Sequence, residues 1–432
     1  MSVEIELKFI VSAATVATLP QRIAIWPHRY SAAQKLTNIY FESADHYLRM
    51  HHMALRIRGT GQHYEMTIKT SGSVVAGVHQ RPEYNVVLSQ PELDLAKFPA
   101  DIWPEGCQPQ QLQAQLQPRF STNFSREKWL VTFGSSQIEV ALDLGEVSAG
   151  ERQEPICELE LELTEGNVAD LLAFAGHLAQ FGGLRQSSLS KAARGYRLAQ
   201  GDESLTLRPL NSLQVAAKSS VEQGMIAAFE WALSHWQYHE ELWLQGQVRA
   251  KGSVQQAVAL IRQILVTFGG LIPRRASCDL RAQLTTLEPL LQVHDTEPQQ
   301  LCYSTEYLHT KLLLTSWLLT TAWRPFIEDK AKTKLNSSFK RFCDIMLSRC
   351  SSELKSTFGH PLNQQQYQQQ LPRLERLLLS LLMLSGAYPE SLTAPYLEGW
   401  RQLQLAITTQ HQSEWETRRR QALRTPFWLH ST

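Results

Sequence analysis

Several features are scarce in this 432-residue chain, and each scarcity narrows the possibilities. Net charge is almost absent: 42 Lys and Arg stand against 41 Asp and Glu, a formal charge of +1. That argues against a protein binding nucleic acid with its whole surface and leaves room for a local basic region only. Cysteines are few and dispersed. Cys107, Cys157, Cys278, Cys302, Cys343 and Cys350 form no C-x-x-C pair, so neither a disulfide framework nor a cysteine zinc site is expected. The reading is reduced thiols in a cytoplasmic protein. Long apolar runs are missing as well. The longest, "LLLTSWLLTTAW" at 312–323, is flanked by Lys311 and Arg324. It is too short to span a bilayer and reads as a buried helix. Glu4 and Glu6 interrupt the first hydrophobic stretch, so no secretory signal is expected there.

What is present is a chain of two characters. Hydrophobic residues make up 43% and charged residues 19%, ordinary values for a protein with large cores. Up to about residue 165, short runs alternate apolar and polar residues: "VEIELKFIV", "LTNIYFES", "RPEYNVVLS", "QIEVALDLGE" and "ICELELEL" among them. This period of two predicts about eight antiparallel strands, a number at which sheets curl or close. A helix, "VADLLAFAGHLAQF", follows and stops at Gly182–Gly183. From about 215 onward the apolar spacing becomes helical. The expected architecture is α+β: an eight-stranded antiparallel β-barrel with an interior tunnel over 1–200, a linker over 201–214, and an all-α helical bundle over 215–432.

The strands carry unusual charged rows. A strand sends residues i, i+2 and i+4 to one face. Glu4, Glu6 and Lys8 therefore point together, as do Glu158, Glu160 and Glu162. Arg56 with Arg58, Arg81 with Glu83, and Arg126 with Lys128 form further rows; Lys69 sits in "MTIKT" and Asp143 in "ALDLGE". Solvated faces seldom stack three glutamates, because adjacent like charges are unfavourable unless something of opposite sign lies between them. In a closed sheet these rows would face one another across an interior. The five strand glutamates would suit a hard divalent cation, Mg²⁺ or Mn²⁺. A ring of Arg and Lys would suit phosphoryl oxygens. Metal, basic ring and channel together describe phosphoryl transfer.

Glu4-x-Glu6-x-Lys8 resembles the E-x-E-x-K signature of the CYTH superfamily, the triphosphate tunnel metalloenzymes. Arg56-x-Arg58, Lys69, Arg81-x-Glu83, Arg126-x-Lys128, Asp143, Glu158–Glu162 and "SLSKAARGY" follow in matching order over about 1–200. The resemblance implies an eight-stranded barrel that holds triphosphate and hydrolyses it to pyrophosphate and phosphate with Mg²⁺ or Mn²⁺. It implies substrate binding by Lys8, Arg56, Arg58, Lys69, Arg81, Arg126, Lys128, Lys191 and Arg194. It implies metal binding by Glu4, Glu6, Glu158, Glu160 and Glu162, with Asp143 in support. Glu6, Glu160 and Lys8 would be catalytic, Lys8 orienting or activating the attacking water.

The helical half resembles a CHAD domain, and the two-part layout resembles that of bacterial inorganic triphosphatases. Of the basic row with which CHAD domains begin, "VQQAVALIRQILVTFG" keeps Arg262, so polyphosphate binding there is expected to be weak. Arg274 and Arg275, Lys340 and Arg341, and Arg373 and Arg376 are among the basic groups elsewhere in that half. Other readings fit the same residues. A CYTH-type adenylate cyclase shares the fold, and so does a thiamine triphosphatase, which needs an aromatic wall from Trp26, Tyr40, Trp103 or Trp129. A non-catalytic polyphosphate-binding module is the alternative from another class. No membrane and no specific nucleic acid are expected as partners. His235 and His239, four apart on a helix, lack a third ligand at a telling spacing.

Overall fold

A computed structural model describes residues 2–61, 63–75, 78–187, 189–201 and 206–430. Residues 202–205 of the expected linker and Ser188 of "SLSKAARGY" lie outside the described residues. The chain forms two compact units, Met1–Thr206 with Asp295–Thr320, and Leu207–His294 with Thr321–Thr432. The segment 295–320, counted from sequence with the helical half, thus belongs to the unit of the strands.

Ten strands of the first unit make one antiparallel sheet: β1 (Ser2–Val11), β2 (His28–Glu42), β3 (Ala54–Thr60), β4 (His63–Lys69), β5 (Ser73–Val75), β6 (Val78–Leu88), β7 (Gln117–Phe133), β8 (Ser136–Ala149), β9 (Arg152–Glu165) and β10 (Leu184–Gln186). Their order is β10-β1-β9-β8-β7-β2-β3-β4-β6-β5, and β1 also pairs with β6. Glu6–Ile10 of β1 are in register with β9, and Ser2–Leu7 are in register with β6. One strand pairing on both sides closes eight strands into a tunnel-like ring, and closure removes the open edges that a flat sheet would expose. The longer helices, in chain order, are α1 (Val168–Ala179), α2 (Lys191–Gln200), α3 (Val221–Leu244), α4 (Ala250–Thr267), α5 (Cys278–Gln292), α6 (Thr305–Leu319), α7 (Phe339–Phe358), α8 (Gln364–Ser385), α9 (Glu390–Thr408) and α10 (Gln412–Arg424).

The alternation on each strand decides which side of the ring is apolar. On β1, Leu7, Phe9 and Val11 point outward with Val140, Leu142, Leu159 and Leu161 of β8 and β9, and there they meet Leu171, Phe174 and Leu178 of α1 and Leu308 and Leu312 of α6. A second outer cluster joins Leu55, Ile57, Met66 and Ile68 to Leu48, Leu95, Phe98 and Leu112. Full burial of each such side chain contributes about 1.5–3 kcal/mol. The outer face is therefore the hydrophobic core, and the inner face is left for the alternating charged residues. That face changes along the strands. Tyr40, Phe120, Phe124, Val147 and Ile156 make it apolar toward one end, where Tyr196 and Leu198 of α2 pack against them. The fit there is close. A Cβ on Gly195 would stand 2.0 Å from Cδ2 of the Phe120 ring, so no larger residue is accommodated between "SKAAR" and Tyr196.

The second unit is helical. Ser220 and Gln223 form a reciprocal capping box at the start of α3, which satisfies two otherwise unpaired N–H groups. On α3 the His235 and His239 rings lie 4.1 Å apart. Nδ1 of His239 faces the His235 carbonyl, and Nε2 accepts from the Arg208 N–H. Both nitrogens of His239 are thus engaged, which leaves it no lone pair for a metal. Among the described residues no helix is long and apolar enough to cross a membrane.

Candidate functional site

The inner face of the ring surrounds a cavity of about 260 Å³. Glu4, Glu6, Lys8, Glu160 and Glu162 line it, as do Arg56, Arg58, Lys69, Arg81, Arg126, Lys128 and Lys191. Three of the sequence-derived candidates do not. Asp143 and Glu158 are fully buried, and Arg194 donates to Glu158 at 2.5 Å, to Glu154 at 2.6 Å and to the Pro155 carbonyl. These three fasten α2 to the end of the ring. Ser190 caps α2 by accepting from Ala193 N–H, which sets Lys191 in its first turn, pointing back among Asp143, Glu158 and Glu160 at 2.7–2.9 Å.

The strand registers sort the lining by sign. Glu160 is the carboxylate with three cations around it. Lys8 lies 2.8 Å away, Arg126 2.5 Å and Lys191 2.9 Å. Burial alone would raise its pKa, but Lys191, Lys8 and Arg126 hold it well below the usual carboxylate range. The same pairing works on Lys8. Burial opposes its charge, yet Glu160, Glu6 and Glu158 raise its pKa well above the ordinary lysine value. Lys8 is therefore an ammonium donor at any physiological pH. It can orient a water but cannot take a proton from one, which narrows the activating role expected from sequence.

Across β8, β9 and β1 the situation is reversed. Glu139, Glu162 and Glu6 are direct lateral neighbours, Glu139 in register with Glu162 and Glu162 with Glu6. Lys128 touches the Glu139 end at 2.9 Å, and Lys8 stands 3.8 Å from Glu6. Glu162 is pushed up to about 7, first by burial and then by Glu4, Glu139 and Glu6. Glu4 is raised by burial and by Glu6 and Glu83, even with Lys69 at 2.5 Å. On the opposite strands cations are crowded. Arg58 is lowered to about 10 by burial, by Arg56 and by Arg126. Its Nε donates to the neutral Oδ1 of Asn38 at 2.9 Å, and Asn38 in turn donates to Thr122. That pair of bonds fixes the guanidinium while leaving its charge largely uncompensated.

The six carboxylates proposed from sequence as metal ligands thus divide. Asp143, Glu158 and Glu160 are committed to Lys and Arg partners. Glu4, Glu6 and Glu162 lie where negative charge is in excess. Among the described residues no three His, Cys or carboxylate groups form a ready-made metal cage. The donor chemistry, all carboxylate oxygen, nonetheless fits a hard divalent cation. Sequence reasoning passed over lining residues that a stricter use of the same alternation reaches. Glu139 shares a strand face with Asp143, Glu65 shares one with Lys69, and Glu83, 3.2 Å from Lys69, was noted beside Arg81 but given no role. Tyr40 lines the cavity, stacked on Phe120. Trp26, Trp103 and Trp129 pack instead in the outer clusters, so of the four candidates for an aromatic wall only Tyr40 faces the interior.

Comparison with known proteins fits this arrangement. The CYTH domain model matches residues 2–196, and the CHAD domain model matches residues 227–421. A relative from Haemophilus influenzae, an inorganic triphosphatase, is 44% identical over 197 residues, which is 45% of this chain and 54% of the relative. The match spans about half that relative's length. Among solved structures, a Hippeastrum protein described as a candidate adenylyl cyclase that reveals a dominant triphosphatase activity is 19% identical. It covers 47% of this chain and 97% of its own, with a TM-score of 0.35. A candidate adenylate cyclase from Bacillus halodurans is 22% identical over 38% of this chain and 82% of its own, at a TM-score of 0.27. With its charged interior inside an eight-stranded antiparallel ring, the segment 2–196 carries a CYTH domain, and a CHAD domain follows it over 227–421.

Proposed function

We propose that this protein hydrolyses inorganic triphosphate to pyrophosphate and phosphate inside the ring, with a divalent metal ion, Mg²⁺ or Mn²⁺. One observation carries the reading. A single cavity holds one group of carboxylates short of cations, with Glu162 raised to about 7, and, across from it, a guanidinium short of anions, that of Arg58, lowered to about 10. Such an interior is unfavourable when empty. A cation beside the first group and a polyanion beside the second relieve both faults at once.

Arg56, Arg58, Lys69, Arg81, Arg126, Lys128 and Lys191 hold the phosphoryl oxygens, Arg56 and Arg58 through planar two-donor contacts that match them, and Arg126, whose Nε and Nη2 donate to Asp143 and Glu160, through Nη1. Arg194, tied to Glu154 and Glu158, supports α2 rather than the substrate. Glu4, Glu6 and Glu162, with Glu139, are the residues that would hold the metal, which supplies charge neutralisation to the transferred phosphoryl group. Glu160 fixes Lys8, Arg126 and Lys191 against one another. The ammonium of Lys8 donates to the attacking water or to a terminal phosphoryl oxygen. Water attacks the terminal phosphorus, the bridging P–O bond breaks, pyrophosphate leaves, and the water's second proton passes to solvent. The catalysis is positioning and charge complementarity, as phosphoryl transfer requires.

The lining gives no support to an organic triphosphate. Lys191 and Arg126 lie over Phe124, and Tyr40 is stacked on Phe120, so neither ring is offered to a base or a thiazolium. Weak polyphosphate binding at the helical unit belongs to the same proposal. The free cysteines support a reducing compartment, the cytoplasm. The test offers the full-length protein triphosphate, long-chain polyphosphate, ATP and thiamine triphosphate with Mg²⁺ or Mn²⁺. The expected result is one pyrophosphate and one phosphate per triphosphate, dependent on the ion. No phosphate from triphosphate with either ion, or cyclic AMP from ATP as the main product, contradicts the reading.

A further inference from the structure

Helix α6 comes from the later half of the chain yet folds with the ring, and its polar contacts converge on β10. Gly183 N–H donates to the Tyr303 carbonyl at 2.9 Å. Gln186 Nε2 donates to Thr315 Oγ1 at 3.3 Å, and the ammonium of Lys311 donates to the Gln186 carbonyl at 3.0 Å. Lys311 is completely buried, in a run of Leu and Trp where an apolar side chain would be the ordinary occupant. A buried ammonium is unfavourable unless hydrogen-bonded, and what it holds leads to the site. The next residue, Ser187, donates its N–H to the Lys8 carbonyl at 2.9 Å. Ser190 then caps α2, and Lys191 reaches Glu160. Leu189 N–H donates to Ser187 Oγ at 3.2 Å, so the Gln186–Ser187 peptide that Lys311 grips is tied both to the Lys8 backbone and to the residues that open α2.

We propose that Lys311 is a positioning residue for the triphosphate site, fixing the Gln186 carbonyl and through it the entry of Lys191 into the ring. The inference rests on the triphosphatase reading. Small displacements of substrate-holding groups are felt in capture because productive geometry is narrow.

The test is steady-state kinetics of the full-length protein on triphosphate with Mg²⁺, alongside thermal melting. Lys311→Met, close to isosteric, should raise KM about fivefold or more with kcat within about twofold, the signature of lost binding shared by ground and transition states. Thr315→Val should raise KM in the same direction, by about twofold. Leu312→Ala, on the same helix but in the apolar cluster, should lower the melting temperature and leave KM unchanged. A folded Lys311→Met with wild-type KM overturns the inference. So does a KM change no larger than that of Leu312→Ala at an equal loss of melting temperature. Should Lys311→Met fail to fold, wild-type KM in Thr315→Val overturns it. A wild-type protein that releases no phosphate removes the triphosphatase reading and this inference with it, whereas an active wild type with unaffected variants removes this inference alone.

Discussion

The two units use the same charged residues in opposite ways. In the helical unit many pairs are local: Lys332–Asp329, Lys340–Asp344, Arg418–Glu414 and Arg420–Glu416 are three or four residues apart on helix faces open to solvent, and the longer-range pairs Arg262–Glu288 and Arg373–Glu353 are also partly exposed. Such pairs contribute about 0.3–0.5 kcal/mol each and are screened by salt. In the ring the pairs join different strands. Lys69 meets Glu4, Lys8 meets Glu160, and Arg126 meets Asp143, all withdrawn from water. Buried ion networks of this kind add little to stability, because desolvation offsets attraction. The difference teaches that charge count is not the functional signal. The signal is convergence, where the sheet brings charges together that local helix geometry would never gather, and leaves them incompletely matched.

Five variants test that contrast. The largest effect is expected at Glu6→Gln. With a carboxylate of the proposed metal group gone, turnover of triphosphate at saturating Mg²⁺ should fall by about a hundredfold or more, since charge neutralisation contributes several kcal/mol. Turnover within about threefold of wild type would remove Glu6 from the site. Next come Arg56→Ala and Lys69→Ala, each expected to raise KM about tenfold while circular dichroism stays unchanged. Triphosphate should then raise the melting temperature of wild type more than that of either variant, because stabilisation follows occupancy. Equal shifts would put both residues outside the binding site.

Glu162 gives a smaller and sign-specific effect. Its carboxyl keeps its proton to about pH 7 in the fold, against an ordinary value of 4.5. Between those values the folded state binds more protons than the unfolded one, so this residue makes stability fall as pH rises through the window. In chelator-treated protein, Glu162→Gln should remove that slope and stabilise the fold at pH 8 by on the order of 1 kcal/mol, allowing for solvent screening. Adding Mg²⁺ to wild type should flatten the slope as well. A melting curve against pH that is the same in variant and wild type would show that the carboxylate row is not strained. The smallest effect belongs to the helical unit. Lys340→Ala combined with Arg341→Ala should leave kcat/KM for triphosphate within about twofold and stability within about 0.5 kcal/mol. A large loss would mean that substrate also engages that surface.

Much of the ring was legible because a strand's alternation is readable from sequence. Glu4, Glu6 and Lys8, and then Glu160 and Glu162, fall on the inner face as a period of two requires. The sign balance was not legible. Whether a carboxylate is free or committed depends on partners supplied by other strands and by α2, as with Asp143 and Glu158, which Lys191 and Arg194 absorb. Glu139 shares one face of β8 with Asp143, but with Ala141 between them the two carboxylates form no continuous charged row in the sequence. The placement of α6 was also out of reach. "KLLLTSWLL" announces a buried helix but not the surface that buries it, and the sheet's outer face is supplied by residues far earlier in the chain.

The central claim is that triphosphate occupies the ring interior. Its most direct test is a crystal structure of full-length Glu6→Gln, slowed in turnover, with triphosphate bound. The account predicts phosphoryl density within the cavity, held by Arg56, Arg58 and Arg126 on one side and facing Glu4 and Glu162 on the other. Triphosphate bound only at the helical unit, with the ring interior holding none, would contradict it.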